Sequence, residues 1–257
     1  MTIAVLCKWC PDPEDLEVRP DGSISLERAK WSISEYDRVA IEVAASLASD
    51  EAGVVAVVAG PTVIDTSMTR KAILSRGPDE LFMVVDDRLD DADARQSASC
   101  LAAATERIGH VDLVVCGAGS TDLFAQQVGI QVGERLGWPT FNEVANVRRD
   151  GSNWRIERRL DDEVDTLDVA LPVALAVTAD AALPRVPGMQ EILAAGKKPT
   201  TVWSLDDLGP SAALARASLV VSTTARPHSV RQQVRFEGSP AAAAAELVGA
   251  LRRESVL

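Results

Sequence analysis

The sequence predicts an α/β fold of three layers, in which helices cover both faces of a mostly parallel β-sheet. Short apolar segments alternate with longer helical segments through the first half of the chain, and several of them are continuous runs of β-branched residues. Such runs are typical of strands buried on both faces, and strand–helix alternation is typical of βαβ units. Sheets of this kind bind their ligands beyond the carboxyl ends of the strands.

The elements of the first half follow from hydrophobic periodicity and from glycine and proline breaks. Apolar runs predict strands over residues 2–7, 53–59, 81–85 and 111–116. Helical spacing of apolar residues predicts helices over residues 36–47, 62–75, 92–108 and 126–136. Thr62 is expected to cap the second helix, and the proline-rich segment before the first helix is expected to form a loop that contains a hairpin.

The second half of the chain has different patterning. A turn at Asp150-Gly151 between two strand-like runs predicts a β-hairpin over residues 146–160. A strand pair split at Pro172 is predicted to follow over residues 165–180. The next segment, residues 182–199, is bounded by prolines and amphipathic, which is common in docking surfaces.

We divide the chain into a domain over residues 1–205 and an extension over residues 206–257. The extension is expected to contain a linker at 209–230, a strand at 233–237 and a helix at 239–252. From the sequence pattern alone, this extension packs either on a partner chain or back on its own domain.

The composition excludes several classes of protein. Of 257 residues, 47% are hydrophobic and 25% are charged, which is an ordinary globular balance. The formal net charge of −12 argues against nucleic acid as a partner, because a phosphate backbone requires a basic face. No apolar run approaches the roughly 20 residues of a membrane helix, and Lys8 interrupts the N-terminal apolar segment too early for a signal peptide. We therefore expect a cytoplasmic protein without membrane insertion.

Residues suited to catalysis or metal binding are scarce. His110 and His228 are the only histidines, and neither lies near a serine or cysteine in a nucleophile motif. Cys7 and Cys10 form a C-x-x-C without a second pair or a suitably spaced histidine, so we favour buried cysteines over a zinc site or a redox dithiol. The sequence thus predicts no catalytic residue and no metal site.

The strongest functional signal is a glycine-rich turn between the last predicted strand and the last predicted helix of the first half. Gly117 and Gly119 permit close approach of the backbone, and Ser120 and Thr121 add hydroxyl groups. A strand followed by such a turn and a helix N-terminus presents N–H groups to an anion, most often a nucleotide phosphate. An ordinary tight β–α turn is the alternative interpretation.

Other residues near this turn have candidate roles. Asp122 is expected to cap the helix or to accept a hydrogen bond from a ribose or ring nitrogen. The amides of Gln126 and Gln127 are expected in the first helical turn, within reach of phosphate oxygens. The turn at 59–61 could form a second wall of the pocket, and Tyr36 could stack on a cofactor ring, although a lone aromatic is more often a core residue.

Six segments carry a resemblance to a known family. They are KWCPDPEDLEV, SISEYDRVAIEVAA, RKAILSRGPDEL, VCGAGSTDLFAQQVGIQVGERLGWP, RLDDEVDTLDVALPVALAVTAD and RVPGMQEILAAGKKP. Together these segments resemble the β subunit of electron-transfer flavoproteins, with the FixA-type branch as the best match. The similarity runs in unbroken order from Thr2 to about Leu205.

This resemblance implies both a fold and a function. The core is expected to be a three-layer αβα structure like that of the adenine nucleotide α-hydrolase group. The chain is expected to form a heterodimer with a FixB-type α subunit, to share an FAD with it, and to hold AMP or a second FAD in its own pocket. It would then be an electron carrier and not an enzyme acting alone. Its partners would be an acyl-CoA-type dehydrogenase or reductase and a quinone- or ferredoxin-linked oxidoreductase.

The resemblance also implies site residues, residue by residue. The flavin ring is expected near Tyr36 and the Pro11-Asp12 loop. The implied cofactor-binding positions are Leu6, Pro11, Asp12, Ser34, Tyr36, Ala59, Gly60, Gly117, Ala118, Gly119, Ser120, Thr121, Asp122, Gln126, Gln127 and Val128. The implied recognition loop for partner dehydrogenases has Met189 as its anchor, followed by Ile192 and Leu193, and the C-terminal extension is expected to pack on the α subunit.

Several positions depart from the family pattern. Ala118 and Gly119 stand where most members have a basic residue and a glutamine, Leu123 and Phe124 where many have an acidic pair, and Val128 where some have a phosphate-binding threonine. These changes remove phosphate contacts and match the enteric-type Fix branch, so the identity of the nucleotide stays open.

Two other classes share this layered core. A stand-alone adenine-nucleotide-binding module of the stress-protein type is one alternative. An ATP-pyrophosphatase-type enzyme is the other, but it requires an S-G-G-x-D-S loop after the first strand, and KWCPDP is not such a loop.

Overall fold

The computed structural model describes residues 1–49, 51–150, 153–213, 216–219, 221–222, 224 and 233–257. The chain forms two compact units, Met1–Thr224 and Ala225–Leu257, which are described separately.

The strands of the described residues all lie in the first unit. They are β1 (Thr2–Cys7), β2 (Trp9–Pro11), β3 (Glu17–Val18), β4 (Ile24–Ser25), β5 (Trp31–Ile33), β6 (Gly53–Gly60), β7 (Glu80–Val85), β8 (Leu113–Gly117), β9 (Thr140–Asp150), β10 (Asn153–Arg159), β11 (Val164–Val169), β12 (Val173–Val177) and β13 (Thr200–Trp203). The α-helices of the first unit are α1 (Glu35–Ser46), α2 (Ser67–Leu74), α3 (Ala94–Ile108), α4 (Val128–Leu136), α5 (Met189–Ala195) and α6 (Pro210–Ala213), and the second unit contains α7 (Pro240–Arg253).

Nine strands form one central sheet in the order β11-β10-β9-β12-β8-β1-β6-β7-β13. Along this spatial order, every neighbouring pair from β9 through β12, β8, β1, β6 and β7 to β13 is parallel. Only the β9–β10 and β10–β11 pairs are antiparallel. The predicted mostly parallel sheet and the predicted hairpin region are therefore confirmed. The tip of that hairpin, at Gly151, lies outside the described residues.

Helices cover both faces of the sheet, so the predicted three layers are confirmed. Alternate residues of β1 enter two separate cores: Ile3 and Val5 pack with residues of α1 and α2, whereas Ala4 and Leu6 pack with residues of α3 and α4. The strand is buried on both faces because its side chains alternate between these cores, which explains its continuous apolar run.

The strand order reverses beside β1. From β1 the chain moves outward through β6 and β7 on one side, and it then returns to place β8 on the other side of β1. Leu6 of β1 is thus paired with Val57 on one side and with Cys116 on the other. A reversal of this kind opens a crevice at the carboxyl ends of the two strands, where open α/β sheets bind ligands.

The segment between β1 and α1 forms two small antiparallel sheets. β2 pairs with β5, and β3 pairs with β4. Gly22, with φ of +84°, lies in the turn between β3 and β4, a conformation that favours glycine. The hairpin predicted within this segment is confirmed.

Some predicted boundaries were wrong. Thr62 begins a short 3₁₀ helix, and Thr66 caps α2 instead, because its side chain accepts a hydrogen bond from the Thr69 N–H at 3.1 Å. The strands on either side of Pro172 do not pair with each other: β11 pairs with β10, and β12 lies between β8 and β9.

Part of the expected linker is ordered, because α6 lies at its start. Residues 225–230 of that linker, including His228, lie outside the described residues.

The second unit contains the predicted C-terminal helix as α7. The Ser239 side chain caps it by accepting the Ala242 N–H at 3.3 Å, and Pro240 occupies the first turn, where its missing N–H costs no hydrogen bond. The strand predicted over residues 233–237 was wrong, since these residues have no strand in the structure.

Candidate functional site

Asp37 connects the elements that meet at the switch-point crevice. It lies in the first turn of α1, and its two carboxylate oxygens accept the backbone N–H groups of Lys8 and Gly117, at 2.7 Å and 3.1 Å. Lys8 follows β1 and Gly117 ends β8. One buried carboxylate therefore ties the carboxyl ends of the two central strands to the helix N-terminus.

The environment of Asp37 changes its acidity. Burial raises the pKa of this carboxyl to about 7, although hydrogen bonds from the N–H groups of Lys8 and Gly117 and the charge of Lys8 act in the opposite direction. The protonation of Asp37 therefore changes near neutral pH.

Gly117 is required for close packing. A Cβ atom at this position would lie 2.6 Å from the Tyr36 Cβ and 2.8 Å from the Asp37 carboxylate. The close approach of backbone predicted for this glycine is therefore used by α1, and its N–H is already bonded to Asp37.

Several backbone N–H groups after Gly117 have no hydrogen-bond acceptor among the described residues. Ala118 donates its N–H to the Val177 carbonyl at 2.9 Å, but the next four N–H groups, of residues 119–122, have no hydrogen-bond partner within the described part of the chain. A run of unpaired N–H groups at a switch point can hold an anion. The residues present thus fit a phosphate group on this side of the loop.

Side chains fix this loop against the segment after β1. The Lys8 ammonium is 2.5 Å from the Asp122 carboxylate, and the Cys10 thiol is 3.3 Å from the Thr121 hydroxyl. Burial acts to raise the pKa of Asp122, but the pKa is lowered overall by the charge of Lys8 and by hydrogen bonds. Asp122 is thus held as a carboxylate directed at Lys8, and the predicted helix-capping role was wrong.

A phenyl ring closes one side of the loop. A Cβ atom on Gly119 would collide with the Phe124 ring, which also packs against the Tyr36 ring with a centroid distance of 5.0 Å and an interplanar angle of 34°. The close approach of a ligand to the backbone predicted at Gly119 is therefore blocked on the face that Phe124 covers. Phe124 and Gln126 have φ of +46° and +56°, a left-handed conformation that is strained for residues with a side chain.

The glycine-rich turn does not lead directly into a helix. α4 begins at Val128, and residues 124–127 form an irregular segment before it. Gln126 and Gln127 therefore precede the helix instead of forming its first turn, which corrects the prediction. Gln127 is the capping residue of α4, but its side chain makes no capping bond and instead accepts from the Gln131 amide at 3.4 Å.

The remaining predicted positions lie around the same edge of the sheet or within it. Leu6 is a buried residue of β1, and Ala59 and Gly60 end the neighbouring β6. Pro11 ends β2, and Asp12 caps a short 3₁₀ helix by accepting the Glu14 N–H at 3.0 Å. The cofactor contacts implied for these positions stay predictions.

Ser34 precedes α1 and is fully buried, and its hydroxyl has no hydrogen-bond partner among the described residues. An orphaned buried hydroxyl next to Tyr36 and Asp37 is compatible with a ligand contact.

The cysteines are packing residues. All four are free and buried, and burial raises the pKa of the Cys10 thiol to about 11 and that of the Cys116 thiol to about 12. Thiols with such pKa values are poor nucleophiles at neutral pH. The interpretation of the C-x-x-C as buried cysteines is therefore confirmed.

The segment implied as a recognition loop lies far along the chain, around α5. Met189 and Leu193 are exposed, with 71% and 64% of their surface accessible, whereas Ile192 is half-buried. Leu183 and Val186, which we did not predict as contacts, are more than nine-tenths exposed. A composition signal existed for them, because both are apolar residues in a proline-rich segment.

Two residues of the site, Asp37 and Lys8, were not predicted from the sequence. Asp37 occupies a position on the apolar stripe of α1 that continues through Ala40, Ile41 and Ala44, and an acidic residue on such a stripe signals a buried carboxylate. Lys8 gave no signal, because its pairing with Asp122 joins residues far apart in sequence.

The described part of the chain shows neither a metal-ligand cluster nor a membrane-spanning helix. Among the described residues no group of three potential metal ligands occurs. Within the same residues, no helix has the length and apolar character needed to cross a bilayer.

The fold and the crevice define an α/β protein of the doubly wound type, with unpaired backbone donors at the switch point of its sheet. The electron transfer flavoprotein domain matches residues 22–208, which is well over half of the chain. The chain therefore belongs to the electron transfer flavoprotein domain family.

Proposed function

We propose that this chain is the β subunit of an electron-transfer flavoprotein of the FixA-type branch. In this proposal it pairs with a FixB-type α subunit, shares an FAD with it, and carries electrons without catalysing a reaction on its own. The observation that best supports it is the run of N–H groups at residues 119–122 that have no partner among the described residues, beside the half-buried Tyr36 ring and the exposed Phe124 ring.

The chain's own residues have distinct parts in this proposal. The unpaired N–H groups after Ala118 hold the phosphate of an adenine nucleotide, and the buried Ser34 hydroxyl offers a further polar contact. The Asp37 carboxylate fixes the positions of Lys8 and Gly117 on either side of the crevice. When bound, FAD supplies the redox chemistry, and the protein supplies position and electrostatic environment.

Whether AMP or a second FAD fills this chain's own pocket depends on the space beside Gly119. In the structure, the Phe124 ring covers that face. We propose AMP as the ligand, because the Phe124 ring limits the space beside Gly119, and this limit hinders a small nucleotide less than it hinders a second FAD.

The proposed redox partners are an acyl-CoA-type dehydrogenase or reductase and a quinone- or ferredoxin-linked oxidoreductase. Their docking surface would be the exposed apolar residues around Met189. Exposed apolar side chains on a short, anchored segment are suited to a transient protein interface. The cytoplasmic location expected from the sequence stays a prediction.

Co-expression with an α-type subunit tests the proposal. We expect a stable heterodimer with a flavin absorbance spectrum, and the amounts of FAD and AMP per heterodimer identify the second ligand. One FAD and one AMP indicate a simple carrier, whereas two FAD molecules would contradict the AMP assignment but not the flavoprotein role. A homodimer that binds ATP without flavin would overturn the proposal in favour of the stress-type module.

A further inference from the structure

A groove separate from the glycine-rich loop lies between α1, the end of α2 and the segment that follows β12. Its volume is about 430 Å³. Apolar and aromatic side chains and several charged ones line it: Glu35, Tyr36, Arg38, Val39, Arg76, Ala179, Pro184, Arg185 and Val186. None of these residues belongs to the glycine-rich loop at 117–128.

One of the three arginines in this groove is already neutralised. The Arg185 guanidinium donates from Nε and Nη2 to the two oxygens of the Glu42 carboxylate, at 2.7 Å and 2.8 Å, and the Arg185 backbone N–H donates to the same group. This bidentate pair lowers the pKa of Glu42 and fixes the segment after β12 against α1.

The other two arginines lack a carboxylate partner. Arg38 donates to the Ser32 hydroxyl at 3.2 Å, and Arg76 donates to the Ala72 carbonyl. The Nε atoms of both guanidinium groups are buried without a hydrogen-bond partner among the described residues. Burial lowers the pKa of Arg76, and the neighbouring positive charge of Arg38 lowers it further.

Two uncompensated cations in one groove of an acidic protein are costly. A folded chain tolerates such a pair when an anion occupies the groove, because the anion offsets the mutual repulsion. Glu35 also lines the groove, but it is exposed, so solvent screens its charge more than those of the two arginines, whose Nε atoms are buried. A carboxylate ligand would add one negative charge beside these two guanidinium groups, whereas a phosphate monoester adds nearly two at neutral pH.

We propose that this arginine groove binds the phosphate group of a small molecule, with Arg38 and Arg76 as its cationic ligands. Guanidinium groups match phosphate oxygens in geometry as well as in charge. The Tyr36 ring and Val39 line the same groove, so an organic group attached to the phosphate has an apolar surface to contact. The groove shares Tyr36 with the implied flavin-ring position, but its two cationic ligands, Arg38 and Arg76, are not among the residues assigned to the cofactor. A failure of phosphate binding here would therefore leave the proposed flavoprotein role untouched.

Calorimetric titration of the full-length chain tests the proposal. The probes are phenyl phosphate, inorganic phosphate and benzoate, each with wild type, Arg38→Gln, Arg76→Gln and, as a matched control, the exposed Arg95→Gln. We expect saturable binding of phenyl phosphate that weakens roughly tenfold or more in each groove variant and is unchanged in Arg95→Gln. Tighter binding of phenyl phosphate than of inorganic phosphate would identify an organic phosphate as the ligand, and equal binding would identify the free anion.

Two results of the titration would overturn this assignment. One is the absence of saturable phosphate binding to wild type, and the other is benzoate binding as tightly as phenyl phosphate, which would contradict the argument from charge.

A second experiment, labelling of wild type with phenylglyoxal read by mass spectrometry, requires no variant to fold. Phenyl phosphate should protect Arg38 and Arg76 from labelling but should not protect Arg95, and equal labelling with and without phenyl phosphate would also refute the site.

Discussion

At the residue scale, the protonation of Asp37 makes the stability of the folded chain depend on pH. Its pKa in the folded protein is about 7 because of burial, whereas an exposed aspartate has a pKa of about 3.9. Between these values the folded state binds more protons than the unfolded state. The contribution of this residue to stability is therefore full below about pH 4 and is lost as the pH rises through about 7.

We expect the free energy of unfolding of wild type to fall relative to that of Asp37→Asn as the pH rises from 4 to 8. The difference is at most about 4 kcal/mol, since each pKa unit corresponds to about 1.4 kcal/mol. Urea unfolding at several pH values measures it. If the two proteins show parallel pH profiles, the raised pKa of Asp37 is wrong.

Also at the residue scale, the Phe124 ring limits access to Gly119. Phe124→Ala should remove the cover from Gly119 and strengthen AMP binding, while the loss of the contact with Tyr36 should cost stability of roughly 1 kcal/mol. Calorimetry with AMP and thermal unfolding measure the two effects. Phe124→Leu, which keeps an apolar side chain over the loop, is the control and should bind AMP as wild type does. Weaker AMP binding in Phe124→Ala would show that the ring contacts the nucleotide instead of excluding it.

At the element scale, the sequence predicts the sheet better than it predicts the loops. β1, β6, β7 and β8 lie within two residues of their predicted bounds, because a strand buried on both faces leaves a continuous apolar run. The start of α2 was misplaced because Thr62 and Thr66 are both able to cap a helix, and only tertiary contacts choose between them. β13 was missed because four residues at a sheet edge carry too little pattern.

The candidate site was predictable from the sequence only where its residues are contiguous in the chain. The glycine-rich loop was predictable, since its residues are contiguous in sequence. The cover over Gly119 and the pairing of Lys8 with Asp122 were not, because each joins residues whose proximity depends on the fold. The arginine groove is likewise formed by separate elements, so no local motif marks it.

The segment around α5 carries a prediction at this scale. Met189→Ala should slow electron exchange with a partner dehydrogenase, roughly tenfold if this side chain anchors the interface, and should leave thermal unfolding unchanged, because Met189 is exposed. Stopped-flow reduction of the flavin in the co-expressed heterodimer measures the rate. Met68→Ala is the matched control, since Met68 is a similarly exposed methionine on α2. Unchanged kinetics with every partner would refute the docking role.

At the scale of the whole molecule, the chain consists of a layered unit and a short second unit. Both cores and all strands of the described residues lie within the first unit. Among the described residues of the second unit, 233–257, none belongs to either core, and none of the side chains of α7 is buried. An amphipathic helix with Leu247 and Val248 exposed gains stability only by covering its apolar side.

These observations predict the effect of removing the second unit. A chain that ends at Thr224 should retain the circular dichroism spectrum of the sheet and a melting temperature close to that of wild type, because the cores stay intact. Its association with an α-type subunit should weaken, since α7 would otherwise cover its apolar residues there. Co-purification of the two subunits measures that association, and the double substitution Leu247→Ser with Val248→Ser should weaken it without any truncation. A truncated chain that unfolds at a much lower temperature would instead show that the helix stabilises its own subunit.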